Sequence, residues 1–177
     1  MKKLKLDELN RLTVDRFKEV EKIPVVLVMD NIRSSHNVGS MFRTSDAFRV
    51  EKLYLCGITN SPPHKDIEKT ALGATRSLDW AYADKTVDLI NELKEEGYVI
   101  IAIEQADKSE FLDQADFTEG EKVAFVFGNE VFGVNDEVMA LADRVVEIPQ
   151  FGTKHSFNVV VSAGIILWDY YSKTLKK

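Results

Sequence analysis

One cysteine, Cys56, and three histidines serve the whole chain of 177 residues, which excludes a disulfide framework and leaves no His/Cys cluster at metal-ligand spacing. No metal is therefore expected. Cys56 closes the apolar run Leu53-Tyr54-Leu55-Cys56, the setting of a buried thiol. No apolar stretch approaches the roughly 20 residues that cross a bilayer, so no membrane is expected as a partner. The opening residues Met1-Lys2-Lys3-Leu4-Lys5-Leu6-Asp7-Glu8 turn acidic before the apolar core of a signal peptide develops, and a reducing cytoplasm is the expected setting. There is no internal repeat and no low-complexity segment. Neither a G-x-G-x-x-G dinucleotide fingerprint nor a G-K-[ST] phosphate loop is present, which argues against nicotinamide and nucleoside-triphosphate chemistry.

Charge is present in quantity but is unevenly spread. The net charge is −6. Residues 1–76 carry 14 Lys+Arg against 10 Asp+Glu, residues 77–147 carry 5 against 18, and residues 148–177 carry 4 against 1. The acid belongs to one middle stretch, as on solvated outer helices, while both ends are positive and compatible with phosphate contacts.

The apolar fraction of 45% and the length fit one compact domain with a sizeable core. Leu6, Leu9, Leu12, Phe17 and Val20 recur near helical spacing and predict an amphipathic helix over 5–20. Short apolar runs at 25–29, 98–103 and 123–127 read as buried strands of a parallel sheet, with further strands at 52–56 and 145–148 and a short extended piece at 80–83. Helices are expected at 38–48, 65–72 (ended by Gly73), 86–96, 136–142 and 158–171, and Pro62-Pro63 marks a turn. Strands and helices alternate. An α/β fold follows, a mostly parallel sheet flanked by helices, with ligands at the carboxyl ends of its strands.

Three post-strand loops carry Gly, Asn, Ser, Arg and Glu where chemistry is most often housed. In the first, Asp30 to Thr44, Asn37 is suited to cap the next helix, Gly39 to admit a ligand against the backbone, and Arg43 to reach a phosphate. An ordinary cap with a surface arginine fits the same residues. The second, Phe127-Gly128-Asn129-Glu130-Val131-Phe132-Gly133, sets a carboxylate between two glycines; Glu130 needs either solvent or a cation such as Arg43. A plain turn with an exposed Glu is the alternative. In the third, Ile148 to Val159, Ser156 or Asn158 caps the last helix or orients a hydroxyl or amide, and His155 reads as a solvated loop residue.

In order, these loops resemble the SpoU (TrmH-type) branch of the SPOUT methyltransferases. Asn37, Gly39 and Arg43 match the first motif; Phe127, Gly128, Glu130 and Gly133 the second; Ile148, Pro149, Gly152, Ser156, Asn158 and Val159 the third. The likeness spans roughly residues 24–172. Phe157 stands where the family usually has Leu, and Gln150-Phe151 replaces its commoner small or Met-containing pair. The resemblance implies a 23–177 methyltransferase domain behind a 1–22 helical extension, a C-terminal deep trefoil knot and a homodimer with its active site near the interface. It further implies S-adenosylmethionine as cofactor and RNA, transfer or ribosomal, as substrate. Cofactor contacts would come from Phe127, Gly128, Asn129 and Gly133, from Ile148, Gln150, Gly152, Phe157 and Asn158, and from a wall at Glu104-Gln105. Arg43, Asn37, Glu130, Ser156 and Asn158 would be the catalytic set, with Arg43 acting on a ribose 2′-hydroxyl, positioned by Glu130 and Asn158. Small size tilts the expected substrate toward transfer RNA. A base methyltransferase of the same fold and a non-catalytic knotted RNA-binding protein remain the alternatives.

Overall fold

Val25, Leu27 and Met29 alternate with Val26 and Val28 along one strand, and all five are buried, because that strand runs through the middle of the molecule. The structure, a computed structural model, describes residues 1–174; the side chains of Leu6 and Asp7 and residues 175–177, the end of the expected methyltransferase domain, lie outside the described residues.

The strands are β1 (Ile23–Asp30), β2 (Val50–Cys56), β3 (Trp80–Ala83), β4 (Val99–Ile103), β5 (Glu110–Phe111), β6 (Val123–Phe127) and β7 (Arg144–Glu147). They form one sheet in the order β3-β2-β1-β6-β4-β7-β5, with every pairing parallel. The helices are α1 (Val14–Glu19), α2 (Ser35–Ala47), α3 (Lys65–Ala71), α4 (Ala74–Ser77), α5 (Thr86–Glu95), α6 (Asp136–Leu141) and α7 (Val159–Thr174). Alternate strand residues feed two cores. Val25, Leu27, Met29, Ile101 and Phe125 pack with Met41 and Phe42 of α2, Ile67 of α3 and Ile166, Leu167 and Tyr170 of α7. Val26, Val28, Ile100, Ala102 and Val126 pack with Leu89, Ile90 and Leu93 of α5 and Val138 of α6. Each such side chain withdrawn from water stabilises the fold by about 1.5–3 kcal/mol before the entropy of ordering is counted.

Several boundaries differ from expectation. The N-terminal stretch is a 3-10 turn at Leu6–Leu9 and a separate α1, because Asn10 turns left-handed (φ 49°) and Thr13 starts α1 by accepting from the Arg16 amide. Helix α2 begins three residues early: the Ser34 hydroxyl accepts from the Asn37 amide at 3.3 Å, so Asn37 lies in the first turn and is not the cap. Helix α3 ends on Leu72 in the left-handed region, and Gly73 instead precedes the unforeseen α4. Strand β5, also unforeseen, has two residues, too few to show a periodicity. Cys56 is buried, and burial pushes its thiol up to about 12, so it is inert at neutral pH.

Candidate active site

Where β6 ends, Phe127 hands the chain to a loop that closes on itself. Asn129 and Gly133 exchange two backbone hydrogen bonds of 2.9 Å. The Asn129 side chain, buried, accepts from the Val131 and Phe132 amides at 2.9 and 3.2 Å and donates to the Asn31 carbonyl at 2.7 Å. Its side-chain amide thus fixes the shape of the loop while Asn129 itself lines the cleft. The ring is tight enough to need glycine: a Cβ on Gly128 would stand 2.1 Å from the backbone of Gly133 and Val134. Glu104, at the end of β4, clamps the same loop by accepting from Val134 N at 3.0 Å and from Gln105 N at 2.9 Å.

This ring presents Glu130 to the start of α2. Its carboxylate accepts from Arg33 N (2.9 Å), Ser34 N (3.1 Å) and Asn37 Nδ2 (2.9 Å). Burial alone would raise its pKa, but the Arg33 amide, the Asn37 side chain and the other amides together hold it below the usual carboxylate value. Asn37 Oδ1 in turn accepts from Asn158 Nδ2 at 3.1 Å, while Asn158 Oδ1 accepts from Val160 N at 2.9 Å and so starts α7. Three loops distant in sequence are thereby joined by the chain Glu130–Asn37–Asn158. The cation foreseen for Glu130 is not Arg43; backbone amides and an asparagine satisfy it.

The joined loops wall a cleft of about 870 Å³. Glu104, Gln105, Phe127, Gly128, Asn129, Glu130, Gly133, Ile148, Gln150, Ser156, Phe157 and Asn158 all line it. Asn37 touches it only through its bonds to Glu130 and Asn158. Gly152 does not line it: it sits on an exposed bend with nothing within 4 Å of a would-be Cβ. Arg43 is also elsewhere. It follows Asn37 by six residues, which turns it about 120° around α2 and about 9 Å along it, and it faces a groove beside the N-terminal segment. Gly39 is close-packed, but against the chain itself: a Cβ there would stand 2.2 Å from the Ile67 carbonyl oxygen and the Thr70 hydroxyl of α3.

Residues missed in the sequence also line the cleft, among them Asp107, Asp136, Met139, Glu147 and Ser162. Asp136 and Met139 open α6 directly after the second loop, a position from which they were findable; no pattern marks Glu147. With Glu104 and Glu130 they make five carboxylates and no Lys or Arg, an anionic cleft with apolar walls at Ile103, Phe127, Ile148 and Phe157. Among the described residues no group of three or more His, Cys, Asp or Glu is arranged to hold a metal ion, and no helix is long and apolar enough to cross a membrane.

A parallel sheet whose three post-strand loops lock around a cleft at its carboxyl edge, with Asn37, Glu130 and Asn158 as the bolts, brings together the motifs by which the sequence resembles the SpoU methylases. The chain belongs to the SpoU rRNA Methylase family, whose profile it matches over residues 24–168. It is 31% identical over 153 residues to the 23S rRNA (guanosine-2′-O-)-methyltransferase RlmB of Neisseria meningitidis, covering 86% of this chain and 60% of that protein. It is 30% identical over 155 residues to the tRNA (guanosine(18)-2′-O)-methyltransferase of Thermus thermophilus, covering 86% of this chain and 76% of that one. Its fold superposes on the A. aeolicus TrmH/SpoU tRNA modifying enzyme with a TM-score of 0.79 at 29% identity, covering 90% of this chain and 81% of that chain.

Proposed function

We propose that this chain is a cytoplasmic RNA methyltransferase that uses S-adenosylmethionine to methylate a ribose 2′-hydroxyl of transfer or ribosomal RNA. The observation that carries the reading is the Glu130–Asn37–Asn158 chain of hydrogen bonds at the rim of an anionic cleft. The cleft fits the cofactor in kind: apolar walls for a purine, carboxylates for a molecule bearing both a sulfonium and an ammonium. Phe127, Gly128, Gly133, Ile148, Gln150, Phe157 and the Glu104-Gln105 wall would hold it. Bound there, S-adenosylmethionine supplies an electrophilic methyl group.

The protein's part is to hold the ribose still, align its 2′-oxygen and let its proton leave. Asn158 and Ser156, on the third loop beside the cleft, are assigned to ribose positioning, and Glu130 to locking its own loop to the start of α2, from which Asn37 holds Asn158. Arg43 is assigned to the RNA phosphate and the hydroxyl's orientation, since a guanidinium, always protonated in proteins, is a poor proton acceptor. Arg43 stands away from the cleft of its own chain, so we assign the working unit to a homodimer in which a second copy brings its Arg43 to this cleft. An apolar stripe on the outer side of α7 suits such pairing: Val161, Trp168 and Tyr171 are 50%, 56% and 38% exposed, and the Trp168 and Tyr171 rings stack on each other. The same reading treats 1–22 as an extension of a 23–177 catalytic domain and gives its last third a deep trefoil knot. In support, the chain after β7 returns to the middle of the fold, where α7 packs on α2.

The test is transfer of radiolabelled methyl groups from S-adenosylmethionine to total RNA of a strain lacking the gene, followed by nuclease digestion. Label in a 2′-O-methyl nucleoside is the expected result; label in a methylated base, or none, overturns the ribose assignment. In the same assay Arg43→Ala should lower turnover about 100-fold or more while calorimetry shows cofactor affinity within about threefold of wild type.

A further inference from the structure

The cleft described above and an RNA substrate make opposite electrostatic demands. Glu104, Asp107, Glu130, Asp136 and Glu147 line the cleft without a single Lys or Arg, and the whole chain carries −6. A polyanion is repelled by such a surface, so its binding energy must come from somewhere else on the molecule.

A second concavity, of about 510 Å³, lies along α2 where the N-terminal segment and the α3–α4 turn close over it. Its charged lining is the inverse of the cleft's: Arg11, Arg43, Arg49 and Arg76, with Asp46 as the one carboxylate. Asp46 is engaged at its Oδ2, which accepts from the Ser77 hydroxyl at 2.5 Å. Among the described residues none of the four guanidiniums takes part in a hydrogen bond or ion pair, and all four arginines are exposed. They come from three parts of the chain: the stretch before α1, the second half of α2 with the turn that follows it, and α4. Arg76 folds back so closely over Gly73 that a Cβ there would stand 2.9 Å from its Nη2. Four like charges gathered without partners on an acidic chain repel one another within a Debye length of about 8–10 Å. Phosphates relieve that repulsion, and the planar guanidinium forks suit their oxygens.

We propose that this arginine groove is a phosphodiester-binding site that anchors the RNA strand beside the methylated nucleotide, with Arg11, Arg49 and Arg76 gripping flanking phosphates and Arg43 at its inner side. The proposal rests on the reading of the chain as an RNA methyltransferase and divides the labour: the anionic cleft takes the cationic methyl donor and the groove takes the polyanion.

The test is direct binding of end-labelled unfractionated tRNA, followed by fluorescence anisotropy between 50 and 300 mM salt without cofactor. It compares wild type, the single variants Arg11→Gln, Arg49→Gln and Arg76→Gln, and the triple variant. The triple variant should bind at least tenfold more weakly at 100 mM salt and flatten the slope of log K against log salt by about 3, near 1 per arginine. Cofactor affinity by calorimetry and the melting temperature should hold, and in methylation assays KM for RNA should rise with kcat within about twofold. Should the triple variant fold poorly, the single variants decide by the same slope. Unchanged affinity and slope overturn the proposal, and a change only in sedimentation, with the slope intact, overturns it in favour of a protein partner for the groove. RNA binding that depends on the groove but leads to no methyl transfer would instead sink the enzymatic reading and leave the groove standing. Methyl transfer indifferent to the groove would do the reverse.

Discussion

Glu130 shows how one carboxylate converts two loops into a site. Charge-assisted bonds from two backbone amides and the Asn37 side chain fix it, and that fixes the entry to α2. Glu130→Gln retains the shape but turns an amide nitrogen toward groups that are all donors. Cofactor affinity should fall roughly five- to tenfold by calorimetry, with a lower melting temperature at pH 7. The pH dependence has a definite sign. Because folding lowers the Glu130 pKa from 4.5, its contribution is fully present above that value and is lost as pH falls through the lowered folded value. The gap in melting temperature between wild type and Glu130→Gln should therefore persist from neutral pH down to about 4.5 and close below it. A gap that is constant into strong acid would show that the charge on Glu130 contributes nothing to the lock.

At the scale of elements, the strands were legible because parallel strands buried on both faces are written as unbroken apolar runs, and 25–29, 98–103 and 123–127 read that way. Helix ends were less legible. Ser34, Ser35 and Asn37 are all capable caps; Ser34 takes the role by accepting from the Asn37 amide, which puts Asn37 inside the first turn and leaves its side chain to join two loops. The site was legible as three loops but not as a wiring diagram: the family resemblance places Asn37 and Arg43 in one motif, whereas helix geometry turns them about 120° apart. Gly39 makes the same point, since the glycine was visible but its close neighbour was not. That neighbour is α3, and it yields a prediction. In Gly39→Ala the new Cβ would meet the Ile67 carbonyl oxygen at 2.2 Å, a backbone atom that cannot swing aside. Overpacking of this kind costs about 1–3 kcal/mol, and urea unfolding should show that loss. Stability equal to wild type would mean that α2 and α3 are not held at this separation.

For the whole molecule the question is where the arginine of the first motif meets the cleft. Helix α2 has 13 residues and so spans about 20 Å, with Asn37 in its first turn beside the cleft and Arg43 in its second half beside the arginine groove. A rigid helix packed on the sheet through Val38, Met41 and Phe42 cannot rotate Arg43 into its own chain's cleft without unburying that core. In the proposed two-fold dimer each cleft would receive the arginine that the other copy supplies. This separates from action within one chain in a mixing experiment. Arg43→Ala lacks the arginine and Asn158→Ala lacks the cleft asparagine, whose loss as a helix cap costs only about 1 kcal/mol and leaves a folded protein. Each alone should be nearly inactive. After subunit exchange half of the dimers pair one of each, and in every such dimer one cleft is intact and faced by an intact arginine, so methyl transfer should recover to about a quarter of wild type. The recovery follows only if cleft and arginine come from different copies. Were they to act within one chain, every subunit in the mixture would still lack one of them, and activity would stay at the level of the separate variants however long exchange proceeds.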